Sequence, residues 1–184
     1  MGDSSRPAHE PQISKQRDAF RLTNDLLHDL ISGFGVYTSL RIIFDQSPTP
    51  IPEDVRTAVK RMSLFHIILT LAKWVEFYDR YRAVIPADVR DIAKDLRNDV
   101  QSRGIVRFRN NVVGHIWDDE QGRALTNAEV EERLYGFIDA GFGDFMSWAA
   151  DADSSAPDRP VHVIEKGRDA IRAAYKLTDA DLNL

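Results

Sequence analysis

A short stretch of the chain combines residue types that could perform acid–base chemistry on an anionic substrate. It reads RFRNNVVGH over residues 107–115 and contains two arginines, two asparagines and one histidine. A guanidinium binds a phosphate through paired N–H donors, and an imidazole can give or take a proton near neutral pH. Arg103 lies just before this stretch, and no acidic residue occurs between Arg103 and His115. The composition predicts a site for a phosphodiester that uses no metal ion and no cofactor.

The spacing of these residues limits which of them can meet. On a continuous α-helix, Arg109 and His115 would be about 9 Å apart along the axis and about 120° apart around it, so their side chains would not face each other. Asn111 and His115, four residues apart, would share one face. We therefore expect Arg109 and His115 to meet through a distortion at Gly114, through the length of the arginine side chain, or through a partner subunit.

An arginine followed by a polar residue, with a histidine a few residues further on, resembles the motif of the HEPN superfamily of all-α domains. The matching residues are Arg109, the polar Asn110 directly after it, and His115, with five residues in total between Arg109 and His115. The resemblance is in the residues themselves over residues 105–118, and elsewhere it is limited to the all-α architecture. It implies a metal-independent ribonuclease, a class that includes toxins and phage-defence factors, and a homodimer in which two copies of the motif lie beside one cleft.

The resemblance also implies a role for each residue. The RNA 2′-hydroxyl would attack the adjacent phosphate and leave a 2′,3′-cyclic phosphate and a free 5′-hydroxyl. His115 would be the general acid or base, Arg109 would hold the phosphate, and Asn110 would orient one of these groups. Arg103, Arg107 and Asn111 would contact the substrate. RNA is then the expected substrate, a second copy of the chain the expected partner, and an antitoxin or inhibitor a further candidate partner.

Apolar residues recur at helical spacing along almost the whole chain. Seven positions in the first part form one stripe at intervals of three or four residues, which predicts a long helix: Leu22, Leu26, Leu30, Gly33, Tyr37, Leu40 and Phe44. Glycines at 33 and 35 could kink this helix or let a neighbour approach closely. The prolines of residues 46–52 end it. Further helices are predicted over residues 53–81, from Pro86 to just before Gly104, and over residues 160–176.

Two of the predicted helices have additional features. The helix over residues 53–81 has a wide apolar face, which indicates a central and largely buried position; one side of it carries Met62, Phe65, Leu69, Ala72 and Glu76. Thr126 and Glu129 match the capping-box pattern at a helix start, and the apolar residues from Val130 to Trp148 are expected to follow on that helix. The chain is predicted to be all-α, an up-and-down bundle of about five or six helices.

The sequence indicates how the chain is divided into segments and which classes of protein it fits. Residues 1–12 are predicted to be a disordered lead-in, residues 13–153 the bundle, and residues 154–184 a linker with a C-terminal helix that packs on the bundle. The chain has no cysteine and no apolar stretch of about 20 residues, which fits a cytoplasmic protein away from membranes. Its net charge is −5, and residues 118–159 contain eleven acids against three arginines. Such local concentration means that the total charge does not exclude an anion site elsewhere.

Plainer alternatives remain at this stage. Arg109 could form a surface ion pair with Asp118 or Asp119, and His115 could be a buried histidine that serves packing. The protein could be a non-catalytic helical module for dimerisation or interaction. Less favoured is a metal site formed by His28, His66 and His115, because the chain has no His-x-x-x-His or Glu-x-x-His pair.

Overall fold

Two long antiparallel helices form the frame of the protein. The computed structural model describes residues 10–113, 117–118, 122–138, 141–151 and 156–182. Helix α1 spans Glu10–Gln46 and α2 spans Glu53–Tyr81. The proline-rich residues 47–52 separate them, as predicted. The wide apolar face of α2 is buried, including Leu64, Ile67 and Leu71, which confirms its central position.

The remaining long helices pack around this pair. Helix α3 spans Ala87–Ser102 and contacts α2, and α7 spans Pro160–Tyr175 and packs against α1, α3 and α6. The C-terminal helix therefore packs on the bundle of its own chain. A short 3₁₀-helix, Asp179–Leu182, follows α7 and returns to α1. The fold is an all-α helical bundle, as predicted.

The middle of the chain is less regular than the sequence indicates. Helix α4, Ile105–Phe108, continues directly into a π-helical turn, Arg109–Val113. A two-stranded antiparallel ladder follows, in which β1, Trp117–Asp118, pairs with β2, Arg123–Ala124. Helices α5, Asn127–Phe137, and α6, Phe142–Ala150, complete the order.

The expectation of one helix running through Val130 and Trp148 is wrong. The structure divides this region into α5 and α6, and Gly141 lies between them with a φ of +96°. Backbone with positive φ is easily adopted only by glycine and cannot continue a right-handed helix. The apolar residues of the two helices keep helical spacing across the break, which is why their pattern conceals it.

The predicted capping box at the start of α5 is present. The Thr126 hydroxyl accepts a hydrogen bond from the Glu129 main-chain N–H, and the Glu129 carboxylate accepts one from the Thr126 main-chain N–H. Arg123 also donates to the Glu129 carboxylate. The Arg123 guanidinium, followed by the two donors of Thr126, lowers the pKa of Glu129 from 4.5 to about 2, because each stabilises the ionised form.

One glycine of α1 allows the close crossing of α1 and α2. A Cβ atom at Gly33 would lie 2.7 Å from Cδ2 of His66 on α2, whereas a Cβ at Gly35 would meet nothing within 4 Å. His66 Nε2 lies 3.0 Å from the main-chain oxygen of Asp29. Gly33 therefore serves the close approach of the neighbouring helix. Within the described residues, no helix combines the length and apolarity that crossing a bilayer requires.

Candidate functional site

The segment that contains Arg109 is fixed in position by buried apolar residues. Gly104, at a φ of +75°, separates α3 from α4 and allows the chain to turn. Ile105 and Phe108 are buried in the core, and the ring of Phe108 lies 6.1 Å from the ring of Phe65 on α2. Arg109 follows this anchor directly, so its backbone is held against α2.

Arg109 begins the π-helical turn and forms an ion pair with Glu76 of α2. Its Nη2 donates to Oε1 of Glu76. The side chain of Arg109 is 28% exposed and that of Glu76 is 63% exposed, so the arginine side chain is half-buried while that of Glu76 lies largely in solvent. Among the described residues, Glu76 is the single polar partner of Arg109. The predicted alternative partner Asp118 has no described contact with it.

The other motif residues are only partly visible in the structure. Asn110 is exposed and Asn111 is half-buried, and both belong to the π-helical turn. The predicted acid or base, His115, lies outside the described residues, as do Gly114 and Asp119. The distortion expected at Gly114 therefore lies outside the described residues, and the structure shows a π-helical turn just before it, at Arg109–Val113. A π-helical turn carries i→i+5 hydrogen bonds and is frequent at functional sites.

The arginines that the sequence suggests as one cluster contact different parts of the protein. Nε of Arg103 donates to Asp99 over 3.0 Å, and its guanidinium lies 4.1 Å from the centre of the Trp148 ring on α6. Arg107 is exposed and Phe108, next to it, is buried. The structure thus joins Arg103 to α3 and α6, and Arg109 to α2.

A groove between α1 and α2 reaches the Arg109–Glu76 pair. We call it the α1–α2 groove; it has a volume of about 290 Å³, and Glu76 is one of its lining residues. Arg103 instead lines a separate groove of about 580 Å³ between α3, α6 and α7. The two grooves share no lining residue, and Arg109 reaches the α1–α2 groove only through its partner Glu76.

Sequence reasoning missed Glu76 as part of the site, although the chain contains a signal for it. Glu76 is a charged residue at the end of an otherwise apolar stripe of α2 that includes Leu69 and Ala72. A charged residue at a position of an apolar stripe indicates an ion-pair partner on a neighbouring element, even though most of the Glu76 side chain is exposed. That partner, Arg109, lies 33 residues further along the chain, where helical periodicity gives no indication of it.

The histidines considered as metal ligands have other neighbours. His66 contacts the main chain of Asp29, and His28 Nε2 lies 3.5 Å from the Ser32 hydroxyl, on the same helix. Among the described residues, no three His, Asp or Glu side chains form a group that could hold a metal ion. His115, the third member of the suggested set, lies outside those residues.

Comparison with known proteins defines the fold more than the function. No protein-family model matches the chain, and no curated protein matches it in sequence. In structure the chain is similar to an integron cassette protein, Vpc_cass2, from the mobile metagenome of V. paracholerae, with a TM-score of 0.69 and 22% sequence identity. The match covers 85% of this chain and 95% of the cassette protein. At this identity the similarity concerns the fold alone, which the two proteins share over nearly the whole cassette protein.

Proposed function

We propose that the protein is a metal-independent endoribonuclease of the HEPN type. The observation that carries the proposal is the placement of Arg109: a half-buried arginine side chain at the first residue of a π-helical turn, paired with Glu76, which lines a groove. A guanidinium whose position is fixed in advance stabilises developing charge on a phosphate better than a mobile one, because less reorganisation is needed during the reaction.

The proposed reaction uses the RNA's own 2′-hydroxyl as the nucleophile. The 2′-oxygen loses its proton and bonds to the adjacent phosphorus, while the bond from phosphorus to the 5′-oxygen breaks and the leaving oxygen takes up a proton. The products are a 2′,3′-cyclic phosphate and a 5′-hydroxyl. His115 is the proposed proton donor or acceptor, Arg109 stabilises the charged phosphate, and Asn110 orients one of these groups.

Cleavage of RNA in excess chelator tests this function. Purified protein should cut RNA and leave 2′,3′-cyclic phosphate ends, and DNA of the same sequence should stay intact because it lacks the 2′-hydroxyl. Arg109→Ala and His115→Ala should each lower cleavage at least about 100-fold. Arg41→Ala and His28→Ala, at exposed positions of α1, serve as matched controls and should cleave normally. Loss of activity on chelation would favour a metal site, and absence of cleavage would contradict the nuclease.

Exposed apolar residues favour a second candidate function, a dimerising interaction module. Six large apolar side chains are exposed on the halves of α1 and α2 that lie next to the connection over residues 47–52. Met62 is 72% exposed, and the others are Ile31, Val36, Ile42, Ile43 and Val55. Exposed apolar side chains that lie together are typical of a surface that another protein covers, and we propose that a second copy of the chain covers these. Light scattering should then give the mass of a dimer, and Met62→Lys should shift it toward the monomer.

The two candidates make different predictions in cells. As a ribonuclease in the cytoplasm, the protein would act as a toxin or phage-defence factor, and an antitoxin or inhibitor would keep it inactive. Its expression alone should then arrest growth, and Arg109→Ala should relieve the arrest. An interaction module that does not cut RNA should leave growth unchanged in both forms.

A further inference from the structure

The groove between α3, α6 and α7 has an apolar floor. We call it the α3–α7 groove; its volume is about 580 Å³. Half of its lining residues are apolar, namely Ile92, Leu96, Trp148, Pro157 and Val163. Leu96 and Val163 are buried, whereas Ile92 and Trp148 are half-buried and Pro157 is exposed. The groove therefore keeps accessible apolar surface that no described residue covers.

The groove follows α3 over most of the length of that helix. Its lining residues on α3 extend from Ile92 to Arg103, a separation of eleven residues that corresponds to about 16 Å along a helix axis. Residues 157–158 and the first two turns of α7 form the opposite wall, through Val163 and Lys166 among others. A length of about 16 Å equals three turns of an α-helix, so the groove has the dimensions for a short helical segment.

One face of α3 carries four aspartates, which we call the aspartate stripe. Asp95 and Asp99 line the groove, and Asp88 and Asp91 precede them on the same face, because the spacings are three, four and four residues. The first three are exposed, and none of these three has a hydrogen bond or an ion pair with a residue that the structure describes. Like charges four residues apart destabilise a helix. A cation bound beside the stripe would relieve this repulsion.

Negative charge exceeds positive charge around the groove. In addition to the aspartate stripe, the exposed Asp158 lines the opposite wall, and the lining cations are Arg103 and Lys166. Five carboxylates thus face two cations, and Arg103 is already paired with Asp99. A basic partner is electrostatically complementary to such a surface, whereas the phosphates of RNA are repelled by it.

The groove already holds one guanidinium, that of Arg103. Its Nε donates to the Asp99 carboxylate over 3.0 Å, and the guanidinium lies 4.1 Å from the centre of the Trp148 ring. Arginine is bound in proteins by carboxylates and by aromatic faces, and the groove uses both for this residue. Asp95 lies one helical turn before Asp99 and next to the floor residue Ile92. It therefore offers an incoming cation the same acid, without a described partner.

We propose that the α3–α7 groove is the docking surface for a basic amphipathic helix of a partner protein. Apolar side chains of that helix contact Ile92 and Pro157, and its arginines or lysines pair with Asp95 and Asp158 on the two walls. An amphipathic helix in an apolar groove is a common mode of peptide recognition. A second copy of the chain is disfavoured here, because its net charge of −5 opposes contact with an acidic surface. The inference does not depend on whether the protein cuts RNA.

A designed peptide tests this docking surface on the whole protein. The probe is a fluorescein-labelled peptide of about three helical turns, in which leucines follow one side and arginines flank them. A lactam bridge keeps it helical, because such short helices are marginal in water. In an anisotropy titration at about 0.15 M salt, a peptide of the same composition in scrambled order should bind at least about tenfold more weakly, because its apolar and basic side chains do not share a face.

Charge reversal on the α3 wall identifies the site. Asp95→Lys should weaken binding of the arginine peptide about tenfold or more, because like charges then face each other. A peptide with glutamates in place of the arginines should bind Asp95→Lys more tightly than it binds the wild type. Asp25→Lys is the matched control, since Asp25 is an exposed aspartate of α1 that lines the other groove. It should change the affinity for the arginine peptide less than twofold.

Two results would overturn the proposal. Equal binding of the ordered and scrambled peptides, or equal weakening by Asp95→Lys and Asp25→Lys, would indicate general charge attraction without a site. Light scattering that shows loss of a dimer in Asp95→Lys alone would assign the groove to a second copy of the chain. Asp158→Lys lies in the turn before α7 and should act as Asp95→Lys does, so it replaces that variant if circular dichroism shows that α3 does not tolerate the substitution.

Discussion

Replacing Glu76 by glutamine should separate the structural from the functional role of its pair with Arg109. The variant keeps an acceptor oxygen beside the guanidinium and removes the negative charge. Ion pairs with an exposed partner stabilise a fold by about 0–1 kcal/mol, and the Glu76 side chain is 63% exposed. We therefore expect the free energy of unfolding to fall by less than about 1 kcal/mol.

The expected effect on cleavage is larger. Loss of a whole hydrogen-bond donor at a developing oxyanion lowers kcat by about 10²–10³, which is the expectation for Arg109→Ala. Glu76→Gln leaves the guanidinium in place but holds it less firmly, so we expect kcat to fall about tenfold while KM changes less than twofold. Steady-state cleavage of a fluorescent RNA gives both constants, and denaturant unfolding of the same samples gives the stability.

Asp79→Asn is the matched control for this experiment. Asp79 lies one turn from Glu76 on α2 and accepts hydrogen bonds from Arg97 over 3.1 and 3.2 Å, so the substitution weakens a comparable ion pair away from Arg109. It should leave kcat unchanged. An equal loss of kcat in both variants would refute a positioning role for Glu76. An increase in cleavage by Glu76→Gln would also refute it, because Glu76 would then compete with the phosphate for Arg109.

Further predictions concern stability. Gly33→Ala should unfold more easily than Gly35→Ala by about 1–3 kcal/mol, because its Cβ would lie 2.7 Å from His66 whereas the Cβ at Gly35 has open space; equal denaturant midpoints would contradict this. Glu129, with its pKa lowered from 4.5 to about 2 chiefly by Arg123, should contribute stability above pH 4.5 that is lost as the pH falls toward 2. Thermal unfolding should therefore show a smaller difference between wild type and Glu129→Gln at pH 3 than at pH 6, and a constant difference would refute it.

The helices were predictable wherever local pattern determines them. Helix α2 begins at Glu53 and ends at Tyr81, the limits that the prolines before it and its apolar spacing predict. The capping box of α5 was predictable for the same reason, because its two side chains bond to main-chain groups within four residues. Prolines, apolar spacing and capping residues act on main-chain groups within about one helical turn, so they can be interpreted without the tertiary structure.

The site was predictable in composition but not in arrangement. Arg103 and Arg109 are close in sequence, yet the turn of the chain at Gly104 and the π-helical geometry direct them to Trp148 and to Glu76. These partners lie 45 and 33 residues away in sequence, and side-chain contacts across such separations depend on how the helices pack. The break at Gly141 was missed because the apolar residues keep helical spacing on both sides of it. The pattern therefore predicts one helix, although the backbone of this single glycine ends it.

The opposite attachments of Arg103 and Arg109 have a mechanical consequence for the residues between them. One guanidinium lies over the indole of α6 and the other is tied to the carboxylate on α2, so the intervening segment is tethered at both ends to different helices. As long as both tethers hold, a tilt of α6 relative to α2 cannot be accommodated by swinging this segment outward. Because an exposed ion pair is weak, a larger tilt would break one tether first, and the base of the arginine that we propose grips the phosphate would then move with the helix that still holds the segment.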